Sequence, residues 1–209
     1  LMNSLVSVIM PYYDKKDYFF ESINSVLNQT YINLEILIIY DDKKKDDLEY
    51  IKSCIKNDSR TKIILNDKNR GVAFSRNKAI SAAQGKYIAF LDCDDYWKAN
   101  KIEVQMNFML THGYDFSYTT YRVINSDGKI VDKIKARKKL EYNELLKSCD
   151  IGLSSVILKR KLLNNMKFPE LKTKEDFVLW LGLAKKSVNL AGLDKPLMFW
   201  RQTSNSLSS

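Results

Sequence analysis

The chain is poor in the side chains that make metal clusters and cross-links. It has one histidine, His112, and three cysteines, Cys54, Cys93 and Cys149, with no Cys-x-x-Cys pair. His-rich metal chemistry is thereby excluded, neither a zinc site nor a disulfide framework is indicated, and a Ser-His-Asp triad is disfavoured. Three prolines and seven glycines form no low-complexity linker, and no internal repeat is visible. No run approaches the ~20 apolar residues of a transmembrane helix. The N-terminus lacks a basic n-region and soon meets Pro11, so it does not read as a signal peptide. Leu1 ahead of Met2 reads as a cloning remnant, and the abrupt Ser/Asn-rich end suggests a truncated chain.

What is present suits one compact domain. The 209 residues are 45% hydrophobic and 11% aromatic, ample for a core. Lys and Arg number 34 against 25 Asp and Glu, a net charge of +9. That balance suits anionic partners: phosphorylated substrates, nucleic acid or an anionic membrane face. The one basic cluster, 133–139, reads as a surface or membrane contact. The aromatics follow core periodicity and not a basic stacking surface, which argues against nucleic acid.

The stretch that organises the chain is 86–97, Lys-Tyr-Ile-Ala-Phe-Leu-Asp-Cys-Asp-Asp-Tyr-Trp. An apolar run, 87–91, reads as a buried strand, and it leads straight into Asp92, Asp94 and Asp95. Three acids so close repel one another unless a cation, a basic side chain or backbone donors offset them. Two readings stand side by side: a Mg²⁺ or Mn²⁺ site carrying a phosphate ligand, or an acidic turn with Asp95 as the N-cap of the next helix.

The rest of the chain bears on that choice. Residues 5–10 read as a first strand closed by Pro11, with 11–14 as a loop and Asp17 capping a helix. Residues 34–40 are a second strand ending in Asp41 and Asp42. A polar helix over about 46–56 leads to a third strand, 62–65. The Gly71 loop feeds a helix to Ala83, with Gly85 expected as its left-handed stop. Four strand–helix alternations in 97 residues predict a parallel sheet flanked by helices. Acids at three strand ends would then share one edge, where open α/β sheets bind ligands. That convergence favours the site over the cap.

The second half predicts a helix over 99–110, a strand over 116–124, an Asp127-Gly128 hairpin turn with a return over 129–134, and a helix over 142–149. Residues 152–155 lead into the apolar run 156–158. A helix opens at Glu175-Asp176, and 197–200 is a late strand. Any domain boundary is a soft one near Ala99.

Seven segments in order resemble the family 2 glycosyltransferases, enzymes with the GT-A fold. They are Val6 to Asp14 ("SVIIPxYN"), Ser25 to Tyr31 ("SVLxQTY"), Glu35 to Asp42 ("EIIVVDD"), Asn69 to Asn77 ("NxGxxxARN"), Leu91 to Asp95 ("LDxDD"), Glu175 to Trp180 ("EDxxLW") and Lys195 to Ser208 ("PLxxYRxxxxSxS"). Four departures touch them. Asp14 stands for asparagine, Lys43-Lys44 for Gly-Ser, Ser75 for alanine and Gly182 for arginine.

The resemblance implies an α/β fold, a Rossmann-like, mostly parallel sheet with a smaller mixed acceptor-side region. It implies a single domain over 1–209, with a nucleotide-sugar half (1–98) and an acceptor half (99–209). The activity implied is transfer of a sugar, with inversion, from a nucleotide diphosphate sugar, UDP-linked for preference, to a glycan or lipid-linked hydroxyl in bacterial surface polysaccharide synthesis. Asp94 is implied as ligand of Mn²⁺ or Mg²⁺, with Asp92 in the metal shell or on the ribose. Pro11, Tyr12, Asp14, Asp42, Arg76, Cys93 and Arg201 fall with the nucleotide-sugar contacts, Asp42 on the base and Arg201 on the diphosphate. Asp176 matches the general base, with Glu175 and Trp180 as base or acceptor support. The expected setting is cytoplasmic, at the inner membrane face.

Two other classes fit less well. A phosphotransferase with an Asp-x-Asp loop would carry it after the first strand and not the fourth. A nucleotidyltransferase would want a Gly-rich basic loop where Pro11-Tyr12-Tyr13-Asp14 stands.

Overall fold

The computed structural model describes residues 3–203. A ten-stranded sheet runs through them. Its first half is the expected parallel unit. Strands β1 (Val6–Tyr12), β2 (Leu34–Tyr40), β3 (Thr61–Leu65) and β4 (Tyr87–Phe90) alternate with helices α1 (Lys16–Leu27), α2 (Leu48–Ile55) and α3 (Val72–Ala82). Their spatial order is β3-β2-β1-β4, all parallel. Near-continuous apolar strands are what a sheet covered on both faces requires. Val6, Val8 and Met10 pack with the α1 side of the core, while Ile9, Leu37 and Ile39 pack on the opposite face.

Pro11 lies inside β1 and not beyond it, paired with Ile39. Strand β4 accompanies β1 only as far as Ile9. From there β1 is unpaired on that side, and a residue without an N–H is tolerated. Gly85 is not a left-handed helix stop either. Helix α3 ends at Ala83 in an extended conformation. Gly85 is required by close approach: a Cβ there would collide with Ser7 Oγ and lie 2.7 Å from the Ser7 backbone nitrogen.

The second half extends the sheet with mixed strands. After β5 (Tyr96–Trp97) and helix α4 (Lys101–His112) come β6 (Phe116–Ile124), β7 (Ile130–Ile134), β8 (Lys139–Leu140), the short helix α5 (Tyr142–Leu145), β9 (Ile157–Lys159), helix α6 (Glu175–Lys185) and β10 (Leu190–Arg201). Strand β9 runs antiparallel between β4 and β6, and β10 runs parallel to β6. Helix α4 starts after Asn100, so Asp95 caps no helix. Lys15, not Asp17, precedes the first turn of α1. The expected helix over 142–149 forms only one turn.

Strand β10 is much longer than the sequence suggested. Gly192 and Pro196 break its apolar pattern, yet both have a place. A Cβ on Gly192 would strike the Arg137 carbonyl, and the register shifts between Leu193 and Met198.

One core residue carries a price. Lys101 is fully buried, its Nζ has no hydrogen-bond partner, and it sits 4.1 Å from the Trp97 ring centroid. Burial pulls its pKa well below the ordinary lysine value. The unfolded chain therefore binds a proton that the folded chain gives up, so stability rises with pH up to about 10.4, where the unfolded lysine titrates. Lys101→Met is expected to raise stability by about 1–3 kcal/mol at pH 7 and to flatten that slope. Urea midpoints across pH 7–10 check this. A Met variant whose advantage is absent, or equal at every pH, removes the assignment.

Candidate active site

A cavity of about 990 Å³ opens at the C-terminal edge of the parallel strands. The end of β1 supplies Pro11 and Tyr12, and the connection to α1 supplies Asp14 and Lys15. The ends of β2 and β4 supply Asp41, Asp92, Cys93 and Asp94, α3 supplies Arg76, and the start of α6 supplies Lys174, Glu175 and Asp176. The acids expected at three strand ends therefore do meet on one edge.

Arg76 ties the site together. Its guanidinium is buried and donates to Asp92 Oδ1 at 2.7 Å and to Glu175, with Phe168 beneath it. Burial alone would pull its pKa down, but Asp92 and Glu175 hold it above the ordinary value. Asp92 comes from the end of β4 and Glu175 from the first turn of α6, so this one side chain joins the two halves of the chain.

Asp94 is gripped by Lys15, Nζ to Oδ2 2.8 Å. Burial and the Asp92 carboxylate nonetheless raise the Asp94 pKa, and Lys15 offsets that only in part. Burial pulls Lys15 down, while Asp94, helped by Asp92, holds it above its ordinary value. Among the described residues no group of three or more His, Cys, Asp or Glu is arranged to hold a metal ion alone. Asp94 and Asp92 still fit the donor set of a hard cation that takes one or two carboxylates and completes its shell with phosphate and water.

Asp176 differs from its neighbour. Glu175 is committed to Arg76, whereas among the described residues Asp176 Oδ1 accepts only the Phe177 N–H, at 2.8 Å. Burial raises the Asp176 pKa. Arg76 pulls it back, and Glu175 and Asp92 push it further up.

Four expectations change. Arg201 does not line the cavity. Its backbone N–H donates to Asp95 Oδ1 (3.0 Å), its Nε to the Asp94 carbonyl (3.1 Å), and its guanidinium pairs with Glu21 against the Tyr18 ring. A cation so fully occupied is a clasp holding β10 to the acidic turn. Asp95 is the other half of that clasp, buried and accepting the Ser154 hydroxyl at 2.6 Å. Trp180 is core, packed among Phe90, Phe116 and Phe168, and supports neither base nor acceptor. At the end of β2 it is Asp41 that lines the cavity and not Asp42, whose carboxylate accepts the Lys44 N–H at 3.0 Å. Asp41 accepts from Asn66 and from the Arg70 and Gly71 N–H groups, fixing the loop that enters α3.

Other expectations stand as geometry. Pro11, Tyr12, Asp14 and Cys93 face the cavity. Tyr12 is buried, stacked on Tyr40, and donates to Asp47 at 2.7 Å, so it is part of the wall's frame. Cys93 Sγ donates to the Pro11 carbonyl, and burial raises its thiol pKa well above the ordinary value. Lys15 and Asp47 were missed, and Asp41 was expected at the ligand-binding edge but given no contact of its own. The only sequence signal for Lys15 was its place in the loop after β1. The Ser206 to Ser208 part of the closing motif lies outside the described residues. In the basic tract, Lys135, Arg137 and Lys139 pair with Asp194, Asp150 and Glu141.

Comparison with known proteins gives the family and the likeness of fold. The chain is 45% identical over 181 residues to the Escherichia coli UDP-Glc:alpha-D-GlcNAc-diphosphoundecaprenol beta-1,3-glucosyltransferase WfgD, covering 87% of this chain and 70% of that protein. It is 40% identical over 205 residues to a second E. coli enzyme of the same description, WfaP, covering 98% and 80%. The crystal structure of S. aureus TarS in complex with UDP-GlcNAc superposes with a TM-score of 0.78 at 22% identity. That match covers 98% of this chain and 60% of the TarS chain, and it establishes the likeness of fold. Residues 7–170 match the family described as Glycosyl transferase family 2. The chain belongs to glycosyl transferase family 2.

Proposed function

We propose that the chain transfers a sugar, with inversion, from a UDP-sugar to a hydroxyl of a lipid-diphosphate-linked acceptor in bacterial surface polysaccharide synthesis. The observation that carries this reading is the division of the cavity's acids into two sets joined by Arg76. Asp92 and Asp94 sit at the strand edge, and Asp176 stands at the start of α6 with a carboxylate that, among the described residues, no cation neutralises by direct contact.

The cavity lining holds eight carboxylates against four cationic side chains, although the chain as a whole is basic. An anionic diphosphate entering such a site needs a cation between itself and the acids. Asp94 and Asp92 would hold Mn²⁺ or Mg²⁺. Bound there, the ion would neutralise the charge that grows on the departing diphosphate. Asp176 takes the proton of the acceptor hydroxyl as that oxygen attacks the anomeric carbon on the face opposite the diphosphate. Its raised pKa improves it as a proton acceptor. Glu175, held by Arg76, positions it.

The printed descriptions of WfgD and WfaP name UDP-Glc and a GlcNAc-diphosphoundecaprenol acceptor, which supports a UDP donor and a lipid-linked acceptor here. Acting on such an acceptor would bring the chain to the inner membrane face. No helix of the described residues is long and apolar enough to cross a membrane. With Lys135, Arg137 and Lys139 paired, the 133–139 tract has less free charge for that contact than its composition suggests.

Two variants test the division. Asp94→Asn is expected to abolish Mn²⁺-dependent UDP binding in calorimetric titration, and undiminished affinity removes the metal assignment. Asp176→Asn is expected to bind UDP normally yet lose about 10²–10⁴-fold in kcat with a UDP-sugar. Normal turnover in that variant excludes Asp176 as base. In the wild type the acid limb of kcat/KM should lie above ~3.9, the ordinary aspartate value, because the base loses activity as it protonates. A panel of UDP-, GDP- and dTDP-sugars with Mn²⁺ should show turnover with the UDP donors first.

A further inference from the structure

Lys15 has no part in the reaction as proposed, yet it occupies the atom on which the metal reading depends. It sits on the loop after β1 as the residue before α1, and its side chain lines the cavity. Its Nζ is 2.8 Å from Asp94 Oδ2, and the two side chains keep 24% and 16% of their surface exposed. The fold does not need this pair to hold the acidic turn. The Asp95 N–H already donates to the Asp92 carbonyl, and Arg201 Nε donates to the Asp94 carbonyl. The pair is therefore an electrostatic arrangement inside the cavity.

Two cations cannot share one carboxylate oxygen without repelling each other strongly at contact distance. A lysine ammonium is a compact charge on a flexible four-carbon stem, able to exchange one anion for another nearby. The N-terminus of α1, where Lys15 stands, adds its own positive end to the same wall.

We infer that Lys15 is a displaceable counter-cation, a positioning residue for the donor. It holds Asp94 while no donor is bound, yields that carboxylate to the divalent cation arriving with the nucleotide, and turns its ammonium onto the diphosphate. This rests on the reading of Asp94 as metal ligand. The cation alone must displace an ammonium without bringing it a new anion. With diphosphate present, that ammonium gains another anion. Metal and nucleotide should therefore tighten each other's binding by one common factor.

The test is Mn²⁺ binding followed by the EPR signal of free Mn²⁺, with and without UDP, together with UDP titration in EDTA. Lys15→Met is expected to bind Mn²⁺ alone about 5-fold tighter or more, and UDP in EDTA about 5-fold weaker or more, so that the mutual tightening shrinks. Lys15→Arg should keep most of the UDP affinity, and circular dichroism checks that each variant is folded. A folded Lys15→Met with unchanged or weaker Mn²⁺ binding overturns the inference, as does unchanged UDP affinity in EDTA. Wild-type protein that takes up no Mn²⁺ even with UDP removes the metal reading and the inference together. Wild-type uptake with no effect of Lys15→Met removes the inference alone.

Discussion

The buried guanidinium of Arg76 is the constraint on which the rest of the site depends. A charge that deep is tolerated only when paired and hydrogen-bonded. Here two carboxylates meet it, one from each half of the chain. Without the arginine, Asp92, Glu175, Asp94 and Asp176 would line one cavity with only the lysines Lys15, Lys16 and Lys174 of its lining to offset the repulsion. Removing one member of a buried pair typically costs ~3–5 kcal/mol, because the charge left behind has lost its partner. Arg76 thus sets the packing of α6 against α3 and, through that packing, where Asp176 stands.

The second constraint is the clasp at the other end of the acidic turn. Asp95 accepts from the Ser154 hydroxyl and the Arg201 N–H. The Arg201 side chain reaches the Asp94 carbonyl and Glu21. Burial and the neighbouring Asp94 and Asp92 charges raise the Asp95 pKa well above the ordinary value. The turn is therefore held from behind by backbone and hydroxyl donors, which leaves the Asp92 and Asp94 carboxylates to face the cavity. Three consecutive-looking acids have three different environments, and only the two forward ones can meet a ligand.

The strands of the parallel half were legible because buried parallel strands are short, apolar and closed by turn residues. The convergence of acids on one edge followed from that topology alone. The choice between Asp41 and Asp42 did not. It depends on where pairing stops: the Asp41 N–H still bonds to the Tyr12 carbonyl, so Asp41 continues the ladder and turns inward, and Asp42 is released to cap Lys44. Arg201 and Lys15 were illegible for a related reason. A cation's partner is fixed by tertiary contact and not by spacing along the chain. Motif resemblance could bring Arg201 near the acidic turn, but could not tell a diphosphate contact from a protein clasp. Strand β10 was underread because Gly192 and Pro196 look like breakers until the Arg137 carbonyl and the register shift are seen.

The position of Asp176 shows how local backbone, packing and chemistry meet. Lys174 precedes α6 with φ 62, a left-handed conformation that a residue with a Cβ adopts at some cost. Glu175 and Asp176, adjacent on the first turn of α6, point about 100° apart around the helix axis. The first enters the buried pair with Arg76, and the second faces the cavity. A helix N-terminus and a nearby arginine both favour a charged carboxylate, yet Asp176 titrates above its ordinary value because burial outweighs them. The arginine's direct contacts are spent on Glu175 and Asp92, so it reaches Asp176 only through space. A base needs this balance: enough positive field to support its charge, and too little direct pairing to lose its affinity for a proton.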